Sequence, residues 1–276
     1  MGTTMSFMKA SRLFFALTLI AIGVIGIVGG QIGAIWQPVP KTMPGREALA
    51  YACGLVSVGL GAGLLVKRAA LPAAALLLAW LVAWTAVFKV PFIIRAPLVE
   101  VSYQTTGENL VLVAAAWVLL VSAARGRRKG ILNFVGGGPG LSIAYGLYGF
   151  SLLAFGFSHF AYLNLTAPLV PKWLPGPAFW AYFTGSIYIV TGISMLTGIA
   201  ARIGAVIAAV QIAVITLLVW GPIVLSGQMK PTDIQESVVS WALTAGALVI
   251  AASFGGRPWL RRTGTPFLTR RKAAAA

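Results

Sequence analysis

Charge is what this chain has least of. Lys and Arg number 21 and Asp and Glu five, together 9% of 276 residues, against roughly 25% in a soluble globular domain. Apolar residues make up 59% of the chain, and mean hydropathy is +0.90. One water-soluble core would leave far too much apolar surface exposed, so a soluble enzyme is excluded. Cysteine is nearly absent: Cys53 stands alone. That excludes an intramolecular disulfide, a Cys-x-x-Cys redox pair and a thiolate metal cluster. His159 is the one histidine, so neither a bis-histidine haem nor a structural zinc site can form within one chain. The expected metal complement is none. No Walker loop, strand-borne Gly-x-Gly-x-x-Gly or Ser/His/acid set is present, so no catalytic constellation can be nominated.

What the chain does have is long apolar runs. Crossing the hydrocarbon core takes about 20 residues of helix, and eight segments fit or nearly fit. These are Leu13 to Ile35, Glu47 to Val66, Ala69 to Ile94, Glu108 to Ala124, Leu141 to Leu163, Ala178 to Thr197, Ala201 to Leu225 and Ile234 to Phe254. The runs are too long for barrel strands, and backbone in lipid must pair internally, so they read as helices. Lys9 and Arg12 resemble the start of a secretory signal. The apolar run that follows is longer than a signal needs and no Ala-x-Ala site ends it, so it reads as a retained helix.

Basic residues set the orientation. With the N-terminus inside, Lys9, Arg12, Lys67, Arg68, Arg125, Arg127, Arg128, Lys129, Arg202, Arg257, Arg261, Arg262, Arg270, Arg271 and Lys272 fall on one side. Lys41, Arg46, Lys89, Arg95, Lys172 and Lys230 fall on the other, as do all five acids, Glu47, Glu100, Glu108, Asp233 and Glu236. The positive-inside rule then predicts a bacterial inner-membrane protein with both termini in the cytoplasm. The +16 net charge is a membrane-anchoring asymmetry on short loops and a tail, not a nucleic-acid surface.

Sliding the chain by 131 residues exposes a direct repeat. Val39-Pro40-Lys41-Thr42-Met43-Pro44-Gly45 lies over Val170-Pro171-Lys172-Trp173-Leu174-Pro175-Gly176, and from Val39 to Pro91 15 of 53 positions are identical without a gap. A three-residue gap then sets Glu108 over Glu236. Each half holds an even number of helices, so the repeats are parallel, about an axis along the membrane normal. The fold expected is all-α: eight transmembrane helices forming two parallel-repeat four-helix bundles. Residues 1–125 form the first, 126–140 a basic, glycine-rich cytoplasmic linker, 141–256 the second and 257–276 a basic tail. The run Ala273 to Ala276 is left out of the fold argument.

The halves differ in polarity. Thr184, Tyr188 and Thr191 recur at i, i+4 and i+7 on one helical face, His159 ends the preceding helix, and Gln211 lies near mid-membrane. First-half counterparts are small or apolar: Cys53, Ser57, Leu60 and, opposite His159, Val28. Two readings stay open, interhelical hydrogen bonding and a small cavity in the outer half of the second repeat, fit for a quinone head or similar ligand. Toward the exterior, Asp233-Ile234-Gln235-Glu236 and Thr105-Thr106-Gly107-Glu108 read as capping boxes. The alternative is a proton or cation relay at a mouth formed by Lys89, Glu108, Asp233 and Glu236. Lys89 is expected to snorkel outward. Its counterpart is Trp220. The duplicated Val-Pro-Lys-x-x-Pro-Gly loop is either a stiff connector or one of a pair of lids.

The second half resembles the DoxX-like membrane family. The resemblance rests on Gly156-Phe157-Ser158-His159-Phe160, Leu169 to Pro175 with its Pro-x-Trp-Leu-Pro, Trp180-Ala181-Tyr182-Phe183-Thr184-Gly185, Gly192-Ile193-Ser194-Met195-Leu196 and Ala200-Ala201-Arg202. The first half is similar only as a degenerate copy. The resemblance implies a four-helix bundle per half. It also implies a place near redox chemistry, since some relatives are membrane subunits of thiosulfate:quinone oxidoreductase and others accompany methylamine utilisation or oxidative-stress complexes. Many relatives carry a glutamate in the second helix where this chain has Tyr188, so a mechanism needing that carboxylate does not carry over. The function expected is a non-catalytic membrane subunit of a redox or stress-response complex, quinone its candidate cofactor and a soluble or membrane redox protein its partner. The alternative is a transporter or channel for a small solute or ion. Homo-oligomerisation stays open.

Overall fold

The computed structural model describes residues 2–126, 131–256 and 259–260, and these residues contain helices and no strands. Eight helices are long and apolar enough to cross a membrane. They are α1 (Gly2–Gly29), α2 (Arg46–Leu65), α3 (Ala70–Arg95), α4 (Glu100–Ala123), α5 (Gly138–Ala161), α6 (Pro177–Thr197), α7 (Ala201–Leu225) and α8 (Pro231–Ser253). The chain is a multi-pass membrane protein. An even number of spans brings the described chain ends to one face, called proximal below; the opposite face is distal. Arg127, Arg128, Lys129 and the tail's Arg257 and Arg261 to Lys272 lie outside the described residues.

Each helix packs on its chain neighbours: α1 on α2, α2 on α3, α3 on α4, α4 on α5, and so on to α8. Two further contacts close the assembly, α8 on α1 and α8 on α4. Exchanging α1–α4 with α5–α8 returns the same set of neighbours. Helix α4 is the most enclosed, with 78% of its span buried. The Val-Pro-Lys-x-x-Pro-Gly loop ends both times in a left-handed glycine, Gly45 at φ 70° and Gly176 at φ 69°, directly before α2 and α6. A side chain there would be strained, so both loops turn into their helices in one way.

Glycine also sets the α1–α2 and α5–α6 crossings. A methyl group added at Gly192 would stand 2.9 Å from the Gly149 carbonyl oxygen, and one at Gly61 2.9 Å from the Ala16 carbonyl oxygen. Backbones this close leave no room for Cβ. These contacts also fix the register between halves. Gly61 matches Gly192 at an offset of 131, but Ala16 matches Gly149, and Gly23 matches Gly156, at 133. The first-half counterpart of His159 is therefore Gly26. Val28, the expected counterpart, is 83% exposed. We expect Gly192→Val to cost about 1–3 kcal/mol through overpacking. Gly221→Ala, with nothing within 4 Å of the new methyl, is expected to change nothing. Thermal unfolding of the detergent-solubilised protein compares the two.

Two helix starts differ from the sequence expectation. Helix α4 begins at Glu100, not Glu108, so Thr105 and Glu108 sit inside the helix. The hydroxyl expected to cap, Thr105 Oγ1, is buried without a partner, while its neighbours bond backward: Thr106 Oγ1 donates to Ser102 O at 2.6 Å and Ser102 Oγ to Val99 O at 2.8 Å, the helical alternative to capping for Ser and Thr. Helix α8 begins at Pro231, and the carboxylate that caps it is Asp233, which accepts the Lys230 backbone N–H at 3.0 Å. Glu236 falls one turn further in and is free of that duty.

Candidate functional site

A cavity of about 700 Å³ opens in the distal part of the second half. Its walls are the end of α5, the following loop, the distal half of α6, most of α7 from Val206 to Val219, and Gln104 of α4. The lining is mostly aliphatic. Val206, Val210 and Val214 recur every fourth residue along α7, beside Ile207 and Ile215. Phe183 of α6 and Ile207, Val210 and Val214 of α7 are exposed, so the cavity is open along the gap between these two helices and not enclosed. The two helices touch at the proximal end, where Ser194 fills the space beside Gly204.

The polar groups gather at the floor. Tyr188 is 5% exposed and Gln211 9%. The Gln211 amide donates from Nε2 to the Thr184 carbonyl at 3.0 Å, which fixes the side chain across the α6–α7 gap. Its Oε1 is buried without a partner. Tyr188 presents its hydroxyl toward Gln211. Behind it Tyr148, fully buried, also has an unpartnered hydroxyl. His159 stacks obliquely on Tyr188, ring centroids 5.4 Å apart. Its Nδ1 lies 2.8 Å from the Phe155 carbonyl; a carbonyl only accepts, so Nδ1 carries a proton, and in the neutral tautomer that fits this contact Nε2 is an acceptor. A buried polar atom without a partner costs roughly 1–3 kcal/mol. Gln211 Oε1, His159 Nε2 and the Tyr188 hydroxyl thus form a cluster on the cavity lining that a polar ligand head would satisfy.

Of the five residues singled out in the sequence for this half, His159, Thr184, Tyr188 and Gln211 line the cavity. Thr191 does not: it lies beneath the floor, donating to Ile187 O at 2.8 Å. Tyr162 and Trp180 also line the cavity and were not among those five.

The first half fills the equivalent space. At the offset of 131, Trp80, Trp84 and Phe88 stand where Gln211, Ile215 and Val219 stand. Trp36 joins them: its ring lies 5.1 Å from Trp84 and 6.4 Å from Trp80, and Trp84 lies 4.4 Å from Phe88. Trp84 Nε1 donates to Trp36 O at 3.1 Å, which anchors the cluster. Beside it lies a smaller pocket of about 360 Å³, lined by Pro38 and Pro40.

The four residues suggested as a distal mouth separate into two groups. Asp233 is engaged at the α8 start. Lys89 does not snorkel outward: it is 0% exposed. Its ammonium donates to the Gln37 carbonyl and, at 2.9 Å, to the Thr105 carbonyl. The loop folds over it and α4 closes the other side, so the side chain finds acceptors inside sooner than at the surface. Glu108 lies within electrostatic reach of Lys89, Glu236 and Glu100, and both Glu100 carboxylate oxygens are buried and unpartnered. Among the described residues no cluster of three His, Cys, Asp or Glu is arranged to hold a metal ion. Compared with family models, curated proteins and solved structures, the chain matches none.

Proposed function

We propose that this chain is a membrane-embedded binding subunit whose α5–α7 cavity takes a small lipophilic molecule with a polar head, of the quinone class. The observation that carries this is the unpartnered Gln211 Oε1 at the floor of an aliphatic cavity that opens between α6 and α7. A tail can leave toward lipid through that opening while the head meets Gln211, Tyr188 and His159. The resemblance to the DoxX-like family supplies the setting, a membrane subunit serving a redox or stress-response complex. In the same reading the two halves are parallel repeats of one four-helix module, supported by the recurring loop, the recurring glycine contacts and the exchangeable set of neighbours. The proximal face is the cytoplasmic side of a bacterial inner membrane, and a reporter fused at Arg127 is expected to read cytoplasm.

Trp180 lines the cavity, so a bound quinone is expected to quench its fluorescence. Titrating a lipophilic quinone into the full-length protein in detergent tests the proposal. Saturable quenching that Trp180→Phe largely removes is the expected result. Tyr188→Phe, which deletes one hydrogen bond worth about 1 kcal/mol, is expected to weaken binding about fivefold. Quenching that is unsaturable, or unchanged in Tyr188→Phe, His159→Ala and Gln211→Leu alike, would move the ligand elsewhere.

A further inference from the structure

We propose that the first half carries a separate proton-exchange site, built on Lys89 and Glu108 and reached from the distal face by way of Glu236. It goes beyond the ligand cavity and stands without it.

Geometry carries the proposal. Lys89 is among the largest fully buried side chains, and both its hydrogen-bond partners are neutral main-chain carbonyls. An ionisable side chain inside a transmembrane bundle is costly and marks a functional path by default. The charged group that faces it is Glu108 on α4, and Glu108 is faced in turn by Glu236 on α8 and Glu100 on α4; the loop that covers the lysine contributes Gln37. Glu108 thus has one ammonium and two further carboxylates around it, an excess of negative charge that a proton can neutralise. Glu236 is exposed and Glu108 only partly so, so the acids lead from the surface inward to the buried amine.

The other half shows that the fold does not need this arrangement. At the place of Lys89 stands Trp220, whose indole N–H donates to Ser240 Oγ at 2.8 Å, a neutral pair that closes the same helix packing. The backbone differs as well. Lys89 ends the π-turn Thr85–Lys89, the only π-turn among the described residues. Helix α7 has the matching proline, Pro222, yet runs as regular α-helix through it. Proline therefore does not force the wide turn; the turn goes with the lysine, and such turns recur at functional sites. The acceptor is also specific to this half. The 3₁₀ turns Ala34–Trp36 and Ala167–Leu169 match at an offset of 133, whereas Val39 matches Val170 at 131. Gln37 and Pro38 are the two residues in excess, and Gln37 supplies the carbonyl that Lys89 holds. Lysine, wide turn and inserted acceptor occur together in one half and are missing together from the other.

Infrared difference spectroscopy on the full-length protein in liposomes, stepped between high and low pH, tests the site. The expected result is a protonated-carboxyl absorption that grows as pH falls and that Glu108→Gln removes. Lys89→Met is expected to move its midpoint by about one pH unit or more, a tenfold change in proton concentration. Glu236→Gln is expected to keep the absorption and slow its exchange for deuterium severalfold. Glu108→Gln is nearly isosteric, so it decides the matter if Lys89→Met does not assemble. No such absorption, one that survives Glu108→Gln, or a midpoint indifferent to Lys89 overturns the proposal; exchange as fast in Glu236→Gln as in the wild type removes Glu236 from the route.

Discussion

Gln211→Trp is expected to abolish ligand binding, with affinity for a lipophilic quinone falling at least about a hundredfold, some 2.7 kcal/mol. The chain itself shows what an indole does at this place. Trp80 occupies the matching position in α3 and, with Trp36 and Trp84, packs the first-half space that Gln211 leaves open in the second. The substitution also deletes Oε1, the unpartnered acceptor at the floor. Steric closure and the loss of a polar contact act in the same direction. Folding is not expected to suffer, because the new ring fills an existing cavity and the amide it replaces ties α7 only to a carbonyl already within helix α6. Gln211→Leu separates the two effects: it keeps much of the space and loses the acceptor, so a loss of about tenfold is expected, the worth of one buried hydrogen bond. Equilibrium dialysis with labelled quinone reads both. Undiminished binding in Gln211→Trp would show that the ligand does not occupy this cavity.

The eight spans were legible in the sequence because length and apolarity alone decide them; every predicted run overlaps one helix. Their ends were less legible. At α4 the polar run Ser102 to Glu108 looks like solvent-facing cap chemistry, whereas Ser102, Thr106 and Asn109 are buried against neighbouring helices. Composition cannot distinguish a polar residue at a helix end from one held in an interhelical layer, since both use the same side chains. Lys89 fails for the same reason. Snorkelling is the cheaper course for an isolated helix, but the inserted Gln37 carbonyl lies on another segment of chain, and no local pattern reveals that contact. The cavity was partly legible: helical spacing placed Thr184 and Tyr188 on one face, and His159 and Gln211 stood out as polar residues in apolar helices. The depth of Thr191 depends on how α6 tilts against α5, which is fixed by Gly149 and Gly192 and lies outside helical periodicity.

Truncating Lys89 to alanine is expected to cost about 3–5 kcal/mol of stability, the upper part of the range for a large buried side chain. Two things are lost at once. A void opens where a fully enclosed four-carbon stem had packed, and the Gln37 and Thr105 carbonyls lose a charged donor, a type of bond worth roughly 1.5–3 kcal/mol each. Lys89→Met keeps most of the volume and isolates the second loss, so it is expected to retain most of the cost. The inserted pair allows a sharper measurement. If Gln37 and Pro38 serve to bring a carbonyl to the ammonium, deleting them costs much in the wild type and little in Lys89→Met. A double-mutant cycle of the two changes is then expected to show coupling of about 1–3 kcal/mol. Unfolding of the purified protein in mixed micelles gives all four corners of the cycle. Additive costs would mean that the insertion shapes the loop for its own sake and that Lys89 bonds to whatever carbonyl happens to be near. Coupling of the expected size would tie the two departures of the first half, the residues in the loop and the charge in α3, to a single structural cause.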